Sequence, residues 1–310
     1  MSRSGAARIA IVDQRANVLQ TRAEALSNAG YDTVHMISTA RGLGGLMESN
    51  QIDLIVGHAE CEGVFGYVKD IRHEKVGDNP FVVVLMSCPS SQDLTIKQAI
   101  NAGVDDVIIE TEDQVQAKKV LDRVSVLASY RRRFIVTADY IGPDRRRDPA
   151  RASTIPLTLV PNPLDAASEE DRQREVERAR VAISEEKLRR MGFQISFLVN
   201  LVMDAIENGT VTPDSLMHAK RLVVMAREAG DKLEEFGNPG VLQLCRSLQL
   251  VGASVSRKLT EAPEKDLKLM RPISTAILMA LFPAEGEEAL ATQIADTVEQ
   301  YKTRQAKSAA

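Results

Sequence analysis

Residues 51–60 read QIDLIVGHAE, and the fold turns on this stretch. Asp53-Leu54-Ile55-Val56 is an apolar, partly β-branched run between polar flanks, too short for a helix, so it predicts a buried strand. His58 stands at its end. Strand-then-helix units precede and follow it, and in an open parallel sheet the chemistry gathers beyond the carboxyl ends of the strands. His58 is therefore the first candidate functional residue.

Upstream, ARIAIVD (residues 7–13) is an apolar run ending in an acid, as a central parallel strand should be. Residues 18–29 have helical spacing, with Leu19, Ala23 and Leu26 on one face and Gly30 as the stop. A weaker strand is expected over 33–37 and a helix over 39–49. Downstream, residues 63–71 can form a third helix, and Pro80 opens FVVVLMS, the strongest strand in the chain. A helix over 92–102, a strand over 105–109 and a helix over 112–128 complete the series. Five alternating β/α units with short connections predict an α/β, doubly wound five-stranded parallel sheet over residues 1–128.

Composition fits this reading. The 310 residues suggest two domains, and the formal charge of −4 gives no whole-chain attraction to nucleic acid. Charge is uneven: −5 over residues 1–128, +4 over 129–151 and −3 over the rest, counting Lys and Arg against Asp and Glu. Cys61, Cys88 and Cys245 form no CxxC pair, which argues against a disulfide framework or a metal site. No run reaches membrane-spanning length and no apolar leader is visible, so the expected compartment is the cytoplasm.

The set IVD at the first strand end, DLIV before His58, NPFVVVLMS and AGVDDVII resembles the receiver domain of two-component response regulators, over about residues 6–128. The resemblance implies a site built from an acidic pair after the first strand, a phosphoacceptor carboxylate after the third, a hydroxyl after the fourth and a Lys after the fifth. Asp13 matches one acid, but its neighbour is the neutral Gln14. His58 stands at the phosphoacceptor position, and imidazole is a poor Mg²⁺ ligand. Ser87 supplies the hydroxyl, whereas Glu110 replaces the Lys and Val107 the usual aromatic. The changes oppose phosphoryl transfer and imply a pseudo-receiver, its acidic pocket mimicking a fixed signalling state with no metal and no cofactor. Phosphorylation of His58 itself, or its titration as a pH sensor, is the alternative.

Residues 129–151, SYRRRFIVTADYIGPDRRRDPAR, join the two halves. Arg131, Arg132 and Arg133 precede Phe134, and Arg145, Arg146 and Arg147 follow a Gly142-Pro143 turn signal. FIVTADYIGPDRRR resembles an extension found on alphaproteobacterial receiver proteins, which implies bacterial signalling but no defined ligand. A solvated linker over 129–167 is the plain expectation. Against it, Phe134-Ile135-Val136 is fit to extend an edge of the body, with the following turn pinning the second Arg cluster. Paired Arg clusters can also bind phosphates, among them cyclic di-GMP, or acidic protein surfaces. The Asp-x-Ser-x-x-Gly element of the PilZ pattern for cyclic di-GMP is missing downstream.

Residues 168–310 predict a helical bundle of four to five helices. Ser168 and Asp171 form a capping box for a helix to about residue 208, its first part so charged that it either projects into solvent or pairs with a second copy. Thr212-Pro213 and Asn238-Pro239 start two more helices. A fourth, over 267–282, is expected to break near Pro272, and a fifth spans 285–301. His218 lacks the Lys and Gly spacing of a phosphotransfer histidine, and no nucleotide loop, catalytic constellation or basic recognition helix is present. The sequence thus predicts a non-enzymatic signalling adaptor with a receiver-like docking module and a bundle that binds a protein partner or forms a homodimer. A cyclic di-GMP effector and a phosphorylatable regulator are the alternatives.

Overall fold

Ile9, Ala10, Ile11 and Val12 point alternately to opposite faces of the sheet, and each face buries them in its own core. These residues belong to β1 (Arg8–Val12), which pairs in parallel with β2 (Thr33–Ile37) and β3 (Leu54–His58). Then follow β4 (Val83–Cys88) and β5 (Asp106–Ile109), giving the order β2-β1-β3-β4-β5. This is a doubly wound order with its switch point between β1 and β3. In this computed structural model the described residues are 7–49, 51–89, 93–110, 116–146, 155–165 and 168–309. The chain divides into two compact units, Met1–Ile183 and Ser184–Ala310.

Helices α1 (Ala16–Asn28) and α5 (Gln116–Ser129) cover one face of the sheet through Leu19, Leu26, Val120 and Val124. Helices α2 (Ala40–Ser49), α3 (Val64–Arg72) and α4 (Asp93–Ala102) cover the other through Leu43, Met47, Val64, Val68 and Ala99. The central strands β3 and β4 are buried along their whole length, which explains their unbroken apolar run. The sheet and its helices follow the sequence reading; residues 112–115 of the expected fifth helix lie outside the described residues.

Residues 129–167 differ from the linker expectation. They contain β6 (Phe134–Val136), β7 (Ile141–Pro143) and β8 (Leu157–Thr158) in a separate antiparallel sheet of order β7-β6-β8, so Phe134-Ile135-Val136 does not extend the parallel sheet. Two forces hold this sheet to the body. Fully buried Phe134 packs edge-on to Phe81, with the guanidiniums of Arg72 and Arg131 at 5.2 and 5.1 Å from its ring centre. Those two arginines share the buried Asp105: Arg72 Nη2 donates to Oδ2 at 2.7 Å and Arg131 Nε to Oδ1 at 3.2 Å.

Glycine is required where β7 crosses the turn before β5. A Cβ on Gly142 would lie 2.8 Å from Gly103 Cα, and one on Gly103, whose φ is +87°, would lie 2.6 Å from the Ile141 carbonyl oxygen.

Helix α6 (Glu169–Glu207) opens on the expected cap, the Asp171 amide donating to Ser168 Oγ at 3.1 Å. Its first part does not simply project into solvent. Within the first unit, Ala179 and Ile183 are buried against Phe81, Phe134 and Val160. Arg172 reaches the buried Asp53 at 3.2 Å, where Arg8 also pairs. Val176, Ala179 and Ile183 share one face of this charged segment, whereas Val181 is exposed, so a thin apolar stripe suffices for docking.

The second unit contains the remainder of α6 with α7 (Pro213–Glu235), α8 (Pro239–Arg257), α9 (Glu264–Leu281) and α10 (Glu287–Ala309). Thr212 and Ser215 form a full capping box at α7, and Asn238 caps α8. Helix α9 runs through Pro272 without the expected break. Proline removes one backbone donor, and Met270, Ser274, Ile277 and Leu278, buried on both sides of it, hold the two halves in line.

Candidate functional site

Parallel register brings the candidate residues together. Val12 lies beside Gly57, His58 beside Ser87 and Cys88 beside Ile109, so the carboxyl ends of β1, β3, β4 and β5 are level. Asp13 follows β1 directly and Glu110 follows β5 directly, which sets both carboxylates at one mouth with His58 and Ser87. Asp13, His58 and Ser87 are buried, with 0, 2 and 1% exposure. Gln14 is exposed and turns away, its Nε2 donating to the Glu60 carbonyl at 3.0 Å.

Two arginines, not anticipated from sequence, fill the mouth. Arg15 makes a fork on Asp13, with Nε to Oδ1 at 2.9 Å and Nη2 to Oδ2 at 2.8 Å. It makes a second fork on Glu110, with Nη1 to Oε2 at 3.0 Å and Nη2 to Oε1 at 2.9 Å. Arg22 enters from α1, only 2% exposed, and donates to Asp13 Oδ2 at 3.3 Å, Ser87 Oγ at 3.2 Å and Glu110 Oε1 at 3.0 Å. Two guanidiniums thus balance two carboxylates, and the expected acidic pocket is electrically neutral when His58 is neutral. One signal was legible: Arg22 sits on the buried stripe of α1 with Leu19 and Leu26, where a charge needs a partner.

Burial resists the charge on Glu110 and is the largest single influence, but hydrogen bonds from Arg15, the nearby His58, the Arg15 charge and a hydrogen bond from Ser87 together outweigh it and pull the carboxyl down to about 2. Asp13 is lowered too: burial opposes most strongly, and the side-chain and backbone hydrogen bonds from Arg15, with the nearby His58 and the Arg15 charge, together prevail. Arg22 is lowered, because burial acts against its charge more strongly than Asp13 and Glu110 restore it. His58 Nε2 approaches Glu110 Oε2 to 3.4 Å without a hydrogen bond, and like Arg22 Nε it is buried with no hydrogen-bond partner among the described residues. The neighbouring thiols of Cys61 and Cys88 are pushed up by burial, Cys88 to about 11, and so are poor nucleophiles.

A hard divalent cation would need free carboxylate oxygens here. Both oxygens of Asp13 and both of Glu110 already accept from arginine, and the third group at the mouth is the His58 imidazole, not a carboxylate. Among the described residues no group of three or more His, Cys, Asp and Glu could hold a metal ion. The residues present do not fit Mg²⁺.

The basic segment is not the open cluster expected. Arg131 is committed to Asp105, to the Phe81 carbonyl and, at 2.7 Å, to the Pro161 carbonyl. Arg145 donates to the carbonyls of Val104 and Asp105, at 2.5 and 3.0 Å. Arg146 folds back on Asp144 at 2.9 Å, while Arg132 and Arg133 are exposed. Arg147 lies outside the described residues. In the second unit His218 faces Tyr301, its Nε2 3.1 Å from the phenolic oxygen, and burial lowers its affinity for a proton. Among the described residues no helix is long and apolar enough to cross a membrane.

No family model and no curated protein matches the chain. Solved structures do. The chemotaxis response regulator CheY4 of Vibrio cholerae is 20% identical, covers 38% of this chain and 98% of its own, and superposes with a TM-score of 0.33. HP1043, an orphan response regulator of H. pylori, is 17% identical over 39% of this chain and 96% of its own, with a TM-score of 0.34. A response regulator from Thermotoga maritima is 20% identical over 40% and 98%, also at 0.34. All three are response regulators by description. The fold stands on the sheet order itself, and the chemistry of the site on its own atoms.

Proposed function

We propose that this chain is a signalling protein whose receiver-like domain has given up phosphoryl transfer and works as a protein-docking module, with the bundle as its second interaction surface. One observation carries the reading: Arg15 and Arg22 bridge Asp13 and Glu110 beside His58. A receiver's cycle adds a charged phosphoryl group and a cation to a carboxylate-rich mouth. Here the positive charge is covalently part of the chain and permanent, because guanidinium does not deprotonate in proteins. The carboxylates are saturated, the nucleophile is an imidazole, and the hydroxyl of Ser87 already accepts from Arg22. The domain holds one charge state, and a partner reads its surface without a phosphorylation signal. No enzymatic step is assigned.

Incubating the full chain with Mg²⁺ and acetyl phosphate, followed by intact mass and peptide mapping, tests this. No adduct is expected at Asp13 or His58, and a stable phosphoryl adduct at either would overturn the reading.

A further inference from the structure

The first unit holds a cavity of about 290 Å³ at the amino ends of the strands, the edge of the parallel sheet opposite the Asp13–Glu110 mouth. Gln51 and Asp53, just before β3, line it with Asp78 and Asn79, which precede β4, and with the first part of α6. Val176 is the one apolar side chain among its lining residues, so the space suits a polar occupant. Two charged groups here have capacity to spare. Arg172, only 7% exposed, spends Nη1 alone, on Asp53 Oδ2 at 3.3 Å and Glu169 Oε2 at 3.0 Å. Its buried Nε and its Nη2 have no hydrogen-bond partner among the described residues. Nε–H and Nη2–H form one edge of the guanidinium plane, the pair that grips a carboxylate with two parallel hydrogen bonds. Asp78 is exposed, and its side chain makes no ion pair or hydrogen bond among the described residues.

The remaining charges are matched, Asp53 by Arg8 and Arg172 and Glu177 by Arg180 at 3.6 Å. Asp53, Asp78 and Glu177 outnumber Arg172 and Arg180 by one along the lining, so a plain anion is disfavoured. A plain cation would satisfy Asp78 and leave the open edge of Arg172 unmet. A zwitterion answers both and brings no net charge with it. We propose that this cavity binds a free α-amino acid with a polar, uncharged side chain, its carboxylate on the Nε–Nη2 edge of Arg172 and its ammonium on Asp78. Asn79 selects the side chain: its Oδ1 is taken by the Phe81 amide at 2.9 Å, and its Nδ2 is left to donate to the ligand. The site is separate from the Asp13–Glu110 mouth and does not depend on whether the receiver-like domain can be phosphorylated.

The test is calorimetric titration of the full chain with L-glutamine and L-asparagine. Two truncated ligands run beside them: glutaramate, which is glutamine without its ammonium, and 4-aminobutanamide, which is glutamine without its carboxylate. Saturable single-site binding of an amino acid is expected, with each truncated ligand weaker by about tenfold or more. Asp78→Asn, at an exposed position with no partner to lose, should weaken amino-acid binding about tenfold without weakening glutaramate. Arg172→Lys keeps a charge beside Asp53 but removes the planar edge, and should erase the preference for glutamine over 4-aminobutanamide. Absence of saturable binding by both amino acids, a truncated ligand that binds as tightly as glutamine, or binding untouched by Asp78→Asn would each overturn the proposal. If Arg172→Lys fails to fold by circular dichroism, the 4-aminobutanamide titration of the wild type provides the same reading.

Discussion

Arg22 Nη2 lies 3.0 Å from Glu110 Oε1, joining the first helix to the end of the last strand of the parallel sheet. Glu110 stands where the sequence leads one to look for a positive charge, and Arg22 comes from a helix that carries no motif. Removing one member leaves a buried charge uncompensated. Arg22→Ala should destabilise the first unit by about 3–5 kcal/mol in urea unfolding, while Arg22→Met with Glu110→Gln should recover most of that loss. A single variant within about 1 kcal/mol of wild type would mean that the pair does not hold the mouth closed.

The pH dependence follows from the same pair. Glu110 is lowered to about 2 from an ordinary value of 4.5, so the unfolded chain binds its proton more readily than the folded one. Its contribution is complete above pH 4.5 and is lost as pH falls toward 2. Asp13, also lowered, adds in the same direction. Stability measured from pH 6 down to pH 2 should therefore fall more steeply in wild type than in Glu110→Gln. Parallel curves for the two proteins would remove Glu110 from the account.

Much of this architecture was legible because burial leaves marks. The runs Leu54–Val56 of β3 and Val83–Met86 of β4 are apolar since both faces are covered, and the caps Ser168, Thr212 and Asn238 are local hydrogen bonds that sequence spacing announces. Asp13, His58, Ser87 and Glu110 could be placed at one mouth because strand ends define it. Arg15 and Arg22 were not, since an ion pair across 88 or 95 residues leaves no periodicity. The segment from 129 to 167 was misread for a related reason. Its arginines look like a solvated cluster, yet Arg131 and Arg145 spend their donors on carbonyls and on Asp105, partners that only the folded chain brings near.

The crossing of Gly103 and Gly142 offers a test of how tightly the small antiparallel sheet is bound. Gly142→Ala puts a methyl against Gly103 Cα and the Tyr140 side chain, and backbone cannot retreat as a side chain can. A loss of about 1–3 kcal/mol is expected. Gly30→Ala has the same positive-φ strain as Gly103 but open space around it, and should cost about 1–2 kcal/mol. Thermal unfolding decides the matter: a Gly142→Ala variant as stable as wild type would show that β7 moves away at little cost.

Substituting the nucleophile alone should not revive the site. His58→Asp supplies a carboxylate at the end of β3, but Asp13 and Glu110 would still be held by Arg15 and Arg22, and the new acid would be drawn to those same guanidiniums. No phosphoryl adduct is expected for His58→Asp with Mg²⁺ and acetyl phosphate. Freeing Asp13 requires that Arg15 lose its hold and that the positive charge return to the end of β5. Arg15→Ala and Glu110→Lys added to His58→Asp should therefore give a measurable adduct at residue 58 where the single variant gives none. Labelling of His58→Asp alone would show that the missing carboxylate was the whole defect and that the arginines are no barrier. A triple variant that folds, shown by circular dichroism, yet stays unlabelled would place the block elsewhere in the domain.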